Sequence, residues 1–296
     1  SHKLDEIFAI SDRIVVLRDG LVTGQFKTES VTRETLIATM VGRKLDEMYP
    51  KTQSEGKSTL LEVLDLSDDN LHGISFSARA GEILGVYGLM GSGHQELGPA
   101  IYGQSILKSG QIKIRGERVI IRNPPDALKH GIAYVPAERK IEGLVLGISV
   151  RENLMASWYA MRAHAGLINK GLEKTTTQKW IGNLQIRTPS SETKAESLSG
   201  GNQQKVVLSK CLELEPQIFI LNEPTRGIDV GAKSEIYRIL DNLCKSGKCI
   251  IMITSEMPEL LAISDRVMVM HEGGVAAVLD RSGLTQEDVM RYAIGG

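Results

Sequence analysis

A chain of 296 residues, 42% hydrophobic and 24% charged, can bury one or two cores and has the composition of an ordinary water-soluble globular protein. A net charge of −1 with scattered Lys and Arg argues against a nucleic-acid footprint, which needs a basic stripe or patch. Apolar runs such as CIIMIT and QIFIL have strand length, far short of the ~20 residues of a membrane span, and the opening residues lack the charged-then-apolar pattern of a signal peptide.

In chain order, residues 1–20 (SHKLDEIFAISDRIVVLRDG) form one half of an internal repeat. The other half is 255–274 (SEMPELLAISDRVMVMHEGG). Each half has a polar start, a short helix, the shared AISDR, an apolar strand and an acidic-Gly turn. Each is followed by a tail of helical periodicity, 31–43 and 284–296. Two copies of one ending imply two copies of one domain, so the sequence reads as a fragment or truncated frame. On this reading residues 1–48 are the tail of a first domain, 49–59 (YPKTQSEGKST) a linker, and 60–296 a second domain.

Within the second domain, residues 82–88, 217–223, 248–255 and 266–272 read as buried parallel strands separated by helical patterns, an α/β arrangement. Phe76, within the strand-like ISFSA, reads as core. The stretch of about 141–197 breaks that rhythm and reads as a helical lobe, with Trp158 and Trp180 expected in its core. Cys211, Cys244 and Cys249 lack metal-ligand or CxxC spacing and read as buried reduced thiols.

Three segments carry chemistry. Gly88-Leu-Met-Gly91-Ser92-Gly93-His94-Gln95-Glu96 follows a strand and opens a helix, where a phosphate-cradling loop belongs; the usual Lys and Ser/Thr are missing, and a plain tight turn explains it about as well. Leu198-Ser199-Gly200-Gly201-Asn202-Gln203-Gln204 places a hydroxyl and unhindered amides at a helix start. Seventeen residues lie between Gln204 and the place where an apolar strand ends in Asn222-Glu223-Pro224-Thr225 and runs into Arg226-Gly-Ile-Asp229-Val-Gly-Ala-Lys233.

LSGGNQQ followed by EPTRGIDVGAK resembles the signature and Walker B region of the ATP-binding subunits of bacterial sugar-importing ABC transporters, and the resemblance spans essentially the whole chain. It implies a P-loop ABC ATPase fold, with a mostly parallel core, an antiparallel β subdomain and a helical lobe. By it, 135–140 (VPAERK) with Gly143-Leu144 stands at the permease-touching Gln loop, and Ser149–Leu154 opens the lobe. His2 matches the switch histidine of the first domain. The implied cofactors are ATP and Mg²⁺. The implied partners are membrane permease subunits, another ABC nucleotide-binding domain and, indirectly, a periplasmic sugar-binding protein, with a cytoplasmic, membrane-peripheral location.

Where such a half-site needs Lys, Ser/Thr, Asp, Glu and His, this chain has His94, Gln95, Asn222, Glu223 and Glu256. Glu223 alone survives as a catalytic group, and Gln95 with Asn222 makes at best a weak Mg²⁺ site. A carboxylate at Glu256 is expected to repel a γ-phosphate. Each lost charge-assisted hydrogen bond removes about 1.5–3 kcal/mol. The resemblance therefore implies little turnover here, with Ser199 to Gln203 completing the site of the first domain and Asp229 as a further nucleotide-binding residue. A non-catalytic nucleotide-binding module is the alternative.

Overall fold

The computed structural model describes residues 4–18, 21–32, 35–36, 39, 58–162 and 169–296. His2, the turn of the first repeat, most of its tail and residues 49–57 of the expected linker lie outside them.

The N-terminal segment forms helix α1 (Leu4–Ile10) and an antiparallel hairpin of β1 (Arg13–Arg18) and β2 (Leu21–Lys27). Ile14, Val16, Val31 and Leu36 make its small core. Thr35 N donates to Thr32 Oγ1 at 3.2 Å, the side-chain cap expected where a helical tail begins.

From Thr59 the chain builds two sheets. Strands β3 (Thr59–Ser67), β4 (Ile74–Arg79), β6 (Ser109–Ile114) and β7 (Glu117–Val119) pair antiparallel in the order β4-β3-β6-β7. Between β4 and β6 come β5 (Ile83–Gly88) and helix α2 (His94–Ile101). Then follow α3 (Pro124–Lys129), whose N-cap Asn123 accepts from Asp126 N, and β8 (Ile132–Val135). The helical lobe holds α4 (Val150–Arg162) and α5 (Lys170–Asn183). After it come α6 (Gly200–Leu212), β9 (Ile218–Asn222), α7 (Val230–Lys245) and β10 (Cys249–Ile253). The chain closes with α8 (Met257–Ile263), β11 (Arg266–His271), β12 (Gly274–Asp280) and α9 (Gln286–Ala293).

The main sheet runs β12-β11-β5-β10-β9-β8, parallel from β11 to β8, with β12 antiparallel at the edge. The four expected strands are β5, β9, β10 and β11. Their apolar runs lack polar alternation because both faces are covered. Leu84, Val86, Ile220 and Ile251 point into one core with the antiparallel sheet and α2, and Phe76 joins it as expected. Ile83, Phe219, Leu221, Ile250 and Met252 point into a second core under α6 and α7.

The repeat survives in three dimensions, residue for residue. β1 pairs with β2 from Arg13↔Lys27 to Arg18↔Leu21 with a bulge at Val16/Leu17; β11 pairs with β12 from Arg266↔Asp280 to His271↔Gly274 with the bulge at the matching Val269/Met270.

Trp158 and Trp180 differ from expectation. Both are half-buried, and neither belongs to a core cluster. Val150, Leu154 and Met155 are the buried apolar residues of α4. Trp158 stacks edge-on against Tyr159, while Trp180 Nε1 donates to Glu213 at 2.6 Å and ties α5 to the end of α6. All three cysteines are free and buried, and burial pushes the Cys211 thiol up to about 11. Among the described residues no helix is long and apolar enough to cross a membrane.

Candidate nucleotide-binding site

The Gly-rich loop leaves the C-terminal end of β5, in the middle of the parallel sheet, where helix N-termini and strand ends converge. Gly88 is required there, since a Cβ on it would lie 2.0 Å from Ser92 Oγ. Gly91 and Gly93 turn with φ of 84° and 83°, and Gly93 caps α2 without a side chain. The first-turn amides of α2, including those of Gln95 and Glu96, therefore have neither an intrahelical nor a side-chain acceptor. Gly273, in the β11–β12 turn, donates its N–H to Ser92 O at 3.0 Å and holds the loop from behind.

His94 stands where the cationic side chain is expected, and it points inward. It is 4% exposed, its Nδ1 lies 2.9 Å from Ser92 Oγ, and its buried Nε2 has no partner among the described residues. Burial lowers its pKa from the ordinary 6.5, with the Glu96 carboxylate opposing. The side chain is thus a neutral imidazole packed under the loop rather than a cation over it. The unfolded chain takes a proton near pH 6.5 that the folded chain refuses, so stability is flat above about that pH and falls below it. His94→Met is expected to flatten the drop in melting temperature between about pH 7 and pH 5. An unchanged slope would show that the imidazole is not held neutral.

Asn222 ends β9 next to the loop. Its Nδ2 donates to Gln95 O at 3.1 Å and to the Tyr134 hydroxyl at 3.3 Å, while its Oδ1 is buried without a partner. Burial pushes Tyr134 up to about 12, opposed by that hydrogen bond, so it stays a neutral phenol. Glu223 follows with φ 47°, which turns its carboxylate back: Oε1 accepts from Ser255 N at 2.8 Å. Gly88 to Glu96, Asn222 and Glu223 thus come together at the ends of neighbouring elements.

Glu256 is not the bare carboxylate expected. Lys233 Nζ donates to both its oxygens, at 2.6 Å and 2.5 Å, which neutralises the charge and removes the basis for repulsion of a phosphate. Beneath the pair, buried Glu259 accepts from Thr225 Oγ1 at 2.7 Å and Thr254 Oγ1 at 2.6 Å, tying the loop after β9 to the end of β10. Burial raises the Glu259 pKa.

Ser199 caps α6 in extended geometry, with its side chain exposed and its hydroxyl accepting from Asn202 Nδ2 at 2.9 Å. Asn202 Oδ1 in turn accepts from Arg187 N, and Gln203 Nε2 donates to Ala195 O. A Cβ on Gly201 would lie 2.4 Å from Ala232 Cβ, so the glycine lets α6 approach α7. Asp229 caps α7, accepting from Ala232 N at 2.9 Å. These residues form their own cluster, with no recorded hydrogen bond to the Gly-rich loop among the described residues.

Sequence reasoning missed Arg139 as a link between segments. Its Nη1 donates to Arg226 O at 2.5 Å and its Nη2 to Gly227 O at 3.0 Å. A Cβ on Gly200 would lie 2.7 Å from that Nη2, so Arg139 joins the 139–143 turn to the start of α6 and to the loop after β9. A cavity of about 120 Å³ is lined by Tyr102, Pro136, Glu142, Ser157 and Lys210, between the end of α2 and helices α4 and α6.

The backbone of the loop fits a phosphate group. The side chains do not fit Mg²⁺. Gln95 and Asn222 are neutral, the Asn222 amide is turned nitrogen-first toward Gln95 O, and among the described residues no three His, Cys, Asp or Glu converge.

Residues 71–226, just over half of the chain, match the family model described as ABC transporter. The chain is 46% identical over 99% of its length to a ribose import ATP-binding protein of Clostridium tetani and 47% identical over 100% to that of Geobacillus kaustophilus. It spans 59% and 60% of those proteins. Among solved structures, an ATP-binding cassette of an ABC transporter in its ADP conformation aligns with TM-score 0.68 at 19% identity, covering 81% of this chain and 100% of that one. The cbiO1 protein of Clostridium perfringens, part of an ABC transporter complex, aligns with TM-score 0.65 at 23% identity over 79% of this chain and 93% of its own. These likenesses fix the fold as the P-loop ABC ATPase fold.

Proposed function

Since this chain belongs to the ABC transporter family, we propose that it is part of the ATP-binding subunit of a bacterial sugar importer and acts by donating its signature segment to the nucleotide site of another ABC domain. Residues 60–296 are one nucleotide-binding domain, 1–48 repeat the tail of another, and 49–59 link them. Ribose is the sugar named for the relatives, and the proposed location is the cytoplasmic face of the membrane beside a permease fed by a periplasmic binding protein. The permease docks at the cavity between the 136–143 segment and the helical lobe.

The observation that carries this reading is the contrast between two clusters. Around the Gly-rich loop every expected cation or metal ligand is replaced, and the replacements are tied up internally: His94 to Ser92, Asn222 to Gln95 and Tyr134, Glu256 to Lys233. Around Ser199 the side chain stands at the surface at the start of α6, with Gly200 half-buried beside it and Gly201 buried behind, braced by Arg139 and Asn202. ATP supplies the phosphoanhydride that is split at the companion site. There Ser199 and the amides of Gly200 and Gly201 bind phosphate oxygens, with His2 as a further hydrogen-bond donor. The chain's own loop holds phosphate weakly through backbone amides, and no hydrolytic step is assigned to it.

The test is a fusion of this chain to the part of the Clostridium tetani relative that it does not span. Hydrolysis by the fusion is expected to fall at least about 100-fold with Ser199→Ala or Gly201→Asp, and less than about twofold with Glu223→Gln. The reverse pattern would place turnover at the Glu223 site and overturn the reading.

A further inference from the structure

Helix α2, which the Gly-rich loop opens, meets one side chain at three points along its length: Tyr134, near the end of β8. In the first turn, Gln95 O accepts from Asn222 Nδ2 at 3.1 Å, and the same nitrogen donates its other hydrogen to the Tyr134 hydroxyl at 3.3 Å. About one turn on, a Cβ on Gly98 would lie 2.9 Å from Tyr134 Cε2, so the phenol ring lies against the helix where only a glycine leaves room. Just past the last turn, the Tyr102 ring packs on Tyr134 with centroids 5.3 Å apart and planes tilted by 34°.

The residue is also a wall of the cavity between α2, α4 and α6. Tyr134, Tyr102, Pro136, Ser157, Lys210 and Cys211 line that space. Lys210 Nζ donates to Gly143 O at 2.6 Å, and Cys211 Sγ donates to Tyr134 O at 3.6 Å, so neither of these side chains leads to the loop directly. The Tyr134 hydroxyl does. Asn222 Oδ1 is buried without a partner among the described residues, so the amide takes its orientation from the two acceptors of its nitrogen, Gln95 O and Tyr134 Oη.

We propose that Tyr134 is a positioning residue through which the cavity and the Gly-rich loop act on one another. A permease side chain entering the cavity presses on the ring. The ring carries with it the hydroxyl, Asn222 and the first turn of α2, so a docked chain holds its loop differently from a free one. By thermodynamic reciprocity, phosphate on the loop changes the affinity of the cavity for its occupant by the same factor. That the occupant is the permease rests on the proposed function; the linkage is a property of this chain alone and can be measured in it.

The probe for an occupant is a side chain built into the cavity, Ser157→Phe, with Ser157→Ala as its small counterpart. Amide exchange of the full chain is read across residues 92–101. The Phe variant is expected to differ from the Ala variant there by at least about fivefold, with residues 286–293 of α9 unchanged. In a Tyr134→Leu background the same comparison should give less than about twofold, because ring and hydroxyl are both gone. Should that background not fold, Tyr134→Phe, which keeps the ring and loses only the hydroxyl, should reduce the difference at least about twofold. A difference of native size in the background tested would overturn the proposal. So would no difference between the Ser157 variants, or one that extends to α9 and reports general loosening. If the linkage is present while a Ser199→Ala fusion keeps its turnover, the role of Tyr134 stands and the donated-signature reading fails.

Discussion

The variant His94→Lys/Gln95→Thr/Asn222→Asp is expected to bind Mg-ATP at least about 100-fold more tightly than the native chain, a gain of about 2.7 kcal/mol. Two restored charge-assisted interactions at about 1.5–3 kcal/mol each cover that figure, even after the cost of ordering a long side chain. A lysine at position 94 has somewhere to go, because the space above Gly91 is open to beyond 4 Å. The aspartate at 222 behaves differently by itself. It would lose the donor that holds Gln95 O and set a carboxylate 3.1 Å from that carbonyl, so it should destabilise the metal-free chain and help only with Mg²⁺ present. Calorimetric titration of the native chain, the three single variants and the triple variant with Mg-ATP and with metal-free ATP separates these effects. If the triple variant binds no better than the native chain, the loop geometry rather than its side chains limits the site.

That prediction rests on features of unequal legibility in the sequence. The strands of the parallel sheet could be read because runs such as IFIL and CIIMI have no polar alternation, the mark of a strand buried on both faces. The tight turn after β5 and the close approach at the start of α6 could be read because glycines at fixed offsets serve backbone approach, and the structure shows what those at 88 and 201 avoid. The direction of His94 could not be read. It depends on a hydroxyl two residues away and on the packing of a whole layer above it. Nor could the Lys233–Glu256 pair, since one residue lies in α7 and the other just before α8, and only the fold brings them together. Arg139 was visible as part of a basic segment, but its role comes from two main-chain carbonyls, which have no identity in a sequence. Trp180 misled because size suggests a core, while an indole N–H needs an acceptor and finds one at an edge.

The repeated AISDR, by contrast, has a physical reason that leads to a second large effect. Arg266→Met is expected to destabilise the chain by about 3–5 kcal/mol, the cost of breaking a buried ion pair by removing one partner. Glu82 and Arg266 side chains are 4% and 13% exposed, and Glu82 Oε2 also accepts from Arg79 N at 2.7 Å. Arg266 donates in addition to Ser77 O at 2.7 Å, so its guanidinium joins β4, the start of β5 and β11. Removing it leaves the buried Glu82 carboxylate with the Arg79 amide and takes a donor from Ser77 O. The double change Glu82→Met/Arg266→Met should recover most of the loss, because apolar side chains of similar size replace a buried pair at little net cost. Urea unfolding followed by circular dichroism gives both values. If the single variant costs under about 1 kcal/mol, solvent reaches the pair and the ladder from β4 to β11 is held by strand pairing alone. If the double variant is no better than the single, the guanidinium acts through Ser77 O rather than through Glu82.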